Sequence, residues 1–115
     1  MKKLLIVSAL ALVMGSCATA PKSLYSWHNY ADKTHEYSKR PTDDLKDKVL
    51  AEYKLMVEKQ KGTRGVVPPG MMAEYGYMLY RTGNKQDGLK YMRQEISLYP
   101  ESEKYISRII KQLEK

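Results

Sequence analysis

The stretch from residue 69 to residue 100, PGMMAEYGYMLYRTGNKQDGLKYMRQEISLYP, decides the fold. Met72, Tyr75, Gly76 and Leu79 recur at three- and four-residue spacing, which is one face of a helix. The spacing predicts a helix from about Pro69 or Gly70 to Arg81. Pro69 suits its start, because the missing N–H is not needed there. Thr82-Gly83-Asn84 reads as a tight turn. Leu89, Met92, Ile96 and Tyr99 then repeat the same period and predict a second helix over Lys85–Leu98, closed by Pro100. Gly76 and Gly88 are small residues of the kind that let two antiparallel helices pack tightly.

Working outward, Ser102 can cap a last helix that carries Tyr105, Ile106, Ile109, Ile110 and Leu113. On the N-terminal side, residues 62–70, GTRGVVPPG, form a break, since Pro68-Pro69 fixes extended geometry and removes two donors. Before it, Thr42-Asp43-Asp44 reads as an N-cap with two acids in the first turn. It predicts a helix from Asp43 to Lys61 with Leu45, Val49, Tyr53, Met56 and Val57 as its apolar stripe, stopped by Gly62. A first helix is expected over Leu24–Lys39, with Trp27, Tyr30, Ala31, Thr34 and Tyr37 on one face and Pro41 at its end. No segment alternates with period two over a useful length. The expected fold class is all-α, built from helical hairpins.

The helix pair over residues 69–100 resembles one tetratricopeptide unit. Tyr75-Gly76, Leu79, Gly88 and Pro100 stand at the spacing of that pattern, with Met92 at the usual aromatic position. Met72 departs from its common Trp, and Glu95 from its second small residue. Shifting back by one repeat length finds no second copy. The last helix is then expected to cap the unit, beside a divergent first hairpin. The resemblance implies that Ala73, Tyr77, Tyr80 and Arg81 occupy ligand-contacting positions on the concave side, giving a candidate partner-binding surface. The alternative is that these rings cover the first hairpin, because a domain this small needs every large side chain for its core.

The N-terminus reads as a targeting segment. Met1-Lys2-Lys3 is a positive start, and LLIVSALALVM over residues 4–14 is too short to span a bilayer but suits a signal peptide. Gly15-Ser16-Cys17 follows, and resembles a bacterial lipobox with Met14 in place of the usual Leu. Small residues at Gly15 and Ser16 admit the backbone to a signal peptidase. The Cys17 thiol would take a diacylglyceryl group, and its freed amine a further, palmitate-type acyl chain. Residues 1–16 are thus expected to be a lipoprotein signal peptide, 17–23 a lipidated tether and 24–115 the helical domain. Ala18, rather than Asp, suggests sorting to the outer membrane, facing the periplasm.

Composition narrows the function. The chain of 115 residues allows one small domain, which excludes a multidomain enzyme. Its single Cys excludes an intrachain disulfide and a multi-Cys zinc site. Cleavage after Ser16 removes Lys2 and Lys3. It leaves 18 basic against 13 acidic side chains, a net charge of +5 on 99 residues. The lysines are interspersed with acids, and the compartment argues against nucleic acid. His28, Asp32, His35 and Glu36 would share one side of the first helix, but without a recognised metal-ligand spacing. No Gly-x-Ser-x-Gly, phosphate-binding loop or buried carboxylate pair is apparent. No enzyme activity, metal, small-molecule substrate or cofactor is expected, beyond the covalent lipid at Cys17.

The stretch Val67-Pro68-Pro69-Gly70-Met71-Met72-Ala73-Glu74-Tyr75-Gly76-Tyr77 is distinctive. So are the early Tyr25-Ser26-Trp27-His28-Asn29-Tyr30 and the late Tyr99-Pro100-Glu101-Ser102. With the lipobox, they resemble a family of small bacterial lipoproteins known as domain of unknown function 4810. In that family the genes commonly neighbour those of a curli-secretion-type pore lipoprotein and a second small lipoprotein. The resemblance therefore implies a non-catalytic accessory of an envelope assembly, with other envelope lipoproteins or secretion proteins as partners. Two alternatives are a structural or stress-related lipoprotein that binds cell-wall polymer through its positive charge, and a metal-dependent enzyme.

Acylation at Cys17 has a direct test. Cys17→Ser should lower the intact mass by the lipid and move the chain out of the detergent phase. At about 0.8 kcal/mol per buried CH₂, three acyl chains make anchoring effectively permanent, so a wild-type chain recovered as unlipidated periplasmic protein would refute the assignment.

Overall fold

The computed structural model describes residues 22–115. The expected signal peptide, Gly15, Ser16 and Cys17 lie outside the described residues. Five α-helices follow one another: α1 (Tyr30–Lys39), α2 (Asp43–Glu58), α3 (Met71–Arg81), α4 (Lys85–Leu98) and α5 (Glu103–Leu113). A single 3₁₀ turn, Pro100–Ser102, precedes α5. Among the described residues there is no strand, and the fold is all-α as expected. No described helix is long and apolar enough to cross a membrane.

The boundaries of α3 and α4 fall close to where the apolar period places them, whereas α1 does not. It begins at Tyr30, six residues later than expected, and α2 stops at Glu58 rather than Lys61. Both shifts have one cause. The segment ahead of α1 lies alongside the loop that follows α2, and their backbones bond to each other instead of to helical neighbours. Thr63 N donates to Ser23 O at 3.0 Å and Arg64 N to Leu24 O at 3.2 Å. The Gln60 amide meets both backbone groups of Ser26, each at 2.8 Å. A Cβ on Gly62 would collide with the Leu24 carbonyl, so this residue permits the close approach besides following the helix. His28 turns the chain at φ 48°. The start of α1 is then met from α2, where the buried Glu52 accepts from Asn29 N at 3.0 Å. Thr42 caps α2 as expected, its Oγ1 accepting from Leu45 N at 3.2 Å.

The core has two parts that share α3. Val49, Tyr53 and Met56 of α2 pack with Tyr75 of α3, covered by Tyr30, Tyr37 and Tyr91. On the other flank, Ala73 and Met92 pack with Ile106 and Ile110 of α5. Between these parts Gly76 and Gly88 face each other. A Cβ on Gly76 would sit 2.5 Å from Gly88 O, and a Cβ on Gly88 would sit 2.6 Å from Gly76 O. The backbones of α3 and α4 are in direct contact there.

The chain has ten Tyr, one Trp and no Phe. Five of these rings form a ladder across the first flank. Trp27 and Tyr30 lie 5.9 Å apart, Tyr30 and Tyr53 5.4 Å, Tyr53 and Tyr75 5.9 Å, and Tyr75 and Tyr91 4.7 Å. Burial, reinforced by the Glu74 carboxylate, holds the Tyr53 phenol far above its usual range. Burial also raises Tyr30, Tyr75 and Tyr91.

Two outcomes follow from this packing. Gly76→Leu should cost about 1–3 kcal/mol as an overpacked contact. Gly88→Ala should also lower the melting temperature, although Ala ordinarily favours a helix by about 1 kcal/mol over Gly. Melts unchanged by both would mean that the helices do not meet there. The four ladder tyrosines lower stability at alkaline pH. Their pKa values are higher folded than unfolded, so their contribution is complete below the unfolded value of about 10 and is lost as pH rises above it. The phenolate absorbance of the ladder should therefore be the last to appear, together with loss of the helical circular-dichroism signal, and titration of all ten tyrosines in a still-helical chain would contradict the buried ladder.

Candidate functional groove

α3 packs mainly on α4, with α2 against one flank and Ala73 meeting the α5 isoleucines on the other, and an open groove of about 980 Å³ lies along it. Ala73, Met92 and Ile106 lie along its apolar base, and Tyr77, Tyr105 and Ile109 stand on its sides. The large rings are placed by simple periodicity. Tyr77 follows Ala73 by one turn on α3, so it emerges just beyond the residues that α5 covers. Tyr105 precedes the buried Ile106 and so falls on the outer side of α5. Tyr77 is 45% exposed and Tyr105 69% exposed, both high values for rings of that size.

Of the four sequence-predicted contact residues, three line this groove. Ala73 is buried at its base, Tyr77 is on its side, and Arg81 is an exposed cation at its border. Tyr80 does not line it. Its ring is half-buried, and its hydroxyl donates to the carbonyl of Leu113 at 2.6 Å, fastening the end of α5 to α3. The reason is geometric: three residues beyond Tyr77, the helix has turned toward the α4–α5 side, with Lys85 Nζ 5.5 Å from the Tyr80 ring centre.

The groove also contains carboxylates that the apolar period does not locate. Glu74 accepts from the Tyr30 hydroxyl at 3.1 Å and the Tyr53 hydroxyl at 3.2 Å. Glu95 is 1% exposed, a carboxylate buried in the core. Its Oε1 accepts from Gly70 N at 2.6 Å, and its Oε2 has no partner among the described residues. Gly70 is in the left-handed region at φ 89°, which directs its N–H to this carboxylate and which a side chain would disfavour. Burial of a carboxylate is costly unless it is bonded, so the Gly70 contact is what retains Glu95 in the interior. The signal in the sequence was its departure from the small residue of the helix-pair pattern. Tyr105 and Ile109 had no such signal, because the last helix read only as a cap.

The remaining candidates are separated. His28 precedes α1, and its Nε2 lies 3.2 Å from the carbonyl of Lys59. Asp32, His35 and Glu36 edge a shallow depression on α1, where Glu36 pairs with Lys33 at 3.3 Å. The expected common face of His28 with His35 is therefore not formed. Among the described residues no group of three or more His, Cys, Asp or Glu side chains is placed to hold a metal ion.

No curated protein and no solved structure matches the chain with significance. A family model does match, over residues 24–109, from the paired segment ahead of α1 to the later turns of α5. With most of its length inside that match, the chain belongs to the family described as Domain of unknown function (DUF4810).

Proposed function

We propose that this chain is a lipid-anchored, non-catalytic subunit of an outer-membrane assembly, facing the periplasm, and that its groove between α3 and α5 holds a segment of a partner protein. The observation that carries the reading is the pair Tyr77 and Tyr105, large exposed rings on a groove whose base is apolar. Tyrosine combines a wide contact area with a polar tip and is enriched where proteins meet. The gene neighbourhood implied by the family resemblance makes a curli-secretion-type pore lipoprotein the first partner to test. The tetratricopeptide resemblance is consistent with this use of α3.

The test compares three tyrosines. Tyr77→Ala and Tyr105→Ala remove exposed rings and should move stability by no more than about 0.5 kcal/mol. Each should still reduce co-purification of the pore lipoprotein, by about 2 kcal/mol if it is a central contact. Arg81→Ala should act more weakly, from the border. Tyr80→Ala should instead destabilise the fold by about 1–3 kcal/mol, because it breaks the tie to α5 and leaves the Leu113 carbonyl unpaired. Unfolding of the Tyr77 and Tyr105 variants would return these rings to the core, and undiminished co-purification would end the groove reading.

A further inference from the structure

The two segments that pair ahead of α1 and after α2 leave an apolar and cationic face. Leu24 is 55% exposed and Trp27 42% exposed. Around them Lys22, Lys59, Lys61 and Arg64 are all exposed. Residues 22–28 and 59–64 contain no Asp or Glu, in a chain that has 13 of them. The backbone bonds of Ser23 and Leu24 to Thr63 and Arg64 hold the two segments side by side, so the four cations share one end of the molecule. Trp27 is braced by Tyr25 on one side and Tyr30 on the other, at 6.4 and 5.9 Å. The face is thus built into the fold.

We infer that this face rests on the anionic lipid surface that carries the anchor, with Trp27 and Leu24 at headgroup depth and the four cations over the lipid phosphates. The inference rests on the reading of Cys17 as the lipidated residue. From Cys17 to Leu24 the chain advances seven residues, at most about 25 Å when fully extended, which keeps the face within reach of the bilayer. Trp is favoured at membrane interfaces, where its ring is amphipathic. Lys and Arg beside an anionic leaflet are attracted to it over roughly a Debye length, about 8–10 Å. A face with both features next to a lipid attachment point has the chemistry of a second membrane contact. Such a contact orients the domain, and so determines where the groove points.

Trp27 is the only Trp of the chain, which makes it a reporter. The mature lipoprotein is reconstituted into vesicles of phosphatidylglycerol and phosphatidylethanolamine, or of phosphatidylcholine alone. On the anionic vesicles Trp27 emission should shift to shorter wavelength, lose most of its quenching by acrylamide and become quenched by lipids brominated near the headgroup. Added salt should weaken all three effects. Lys61→Glu with Arg64→Glu should abolish them while the protein still floats with the vesicles. Lys22→Glu should weaken them without altering the paired loop. A protein that floats with Trp27 still open to acrylamide and untouched by brominated lipid overturns the membrane face alone. A protein that does not float overturns the anchor, and this face with it.

Discussion

The contact on which the rest of the structure depends is the backbone meeting of Gly76 and Gly88. No Cβ fits at either position, so α3 and α4 approach until their main chains touch. That closeness places Tyr75 toward α2 and Ala73 toward α5, and the two parts of the core form on opposite flanks of one helix. With larger residues the helices would separate, and both flanks would lose their fit together. The four ion pairs of the described residues, by contrast, all involve side chains with substantial exposure, and such pairs contribute little.

A core built with tyrosine in place of phenylalanine has a second requirement. Each ring brings a hydroxyl that must be bonded or left at the surface. Glu74 accepts from Tyr30 and Tyr53, the Leu113 carbonyl from Tyr80, and the Val67 carbonyl from Tyr99 at 2.6 Å. These bonds link elements far apart in sequence, so the polar tips fix the relative positions of helices that the rings alone would only hold together. Tyr77 and Tyr105 have no comparable tie and remain the exposed rings of the groove.

The parts of the fold that were legible in the sequence are those set by local physics. The apolar period and the Thr82-Gly83-Asn84 turn locate α3 and α4, and Thr42 starts α2 where its chemistry predicts. The start of α1 was not legible, because Leu24, Trp27 and Tyr30 satisfy a helical period by chance while residues 60–64 bond the backbone of Ser23, Leu24 and Ser26. For the same reason His28 does not join His35. At the groove, Ala73, Tyr77 and Arg81 are positions that the tetratricopeptide resemblance implies, and all three line it. Tyr80 was misplaced, and Tyr105 overlooked, because the path of α5 against α3 is a tertiary fact with no local signature. Glu95 is intermediate: its departure from a small residue was visible, but only the left-handed Gly70 shows what it bonds.

The position of α3 is fixed at three points, and this bears on how the groove can act. At its start, Gly70 N is bonded to Glu95 of α4. The loop before it is buried at Val67 and Pro68, with the Val67 carbonyl held by Tyr99. At the middle stands the Gly76–Gly88 contact, and at the end Tyr80 holds the last turn of α5. α5 is tied to α3 by the Tyr80–Leu113 bond, and its Ile106 and Ile110 pack in one cluster with Ala73 of α3 and Met92 of α4, so the walls of the groove are joined within the fold. A preformed site does not have to order its own walls on binding, which removes one of the main entropic costs of association. The same ties mean that the groove has little freedom to reshape itself around different occupants. Selectivity must then come from fit to the apolar base and to the exposed rings of Tyr77 and Tyr105, which favours a partner segment of defined shape over indiscriminate capture of apolar chains.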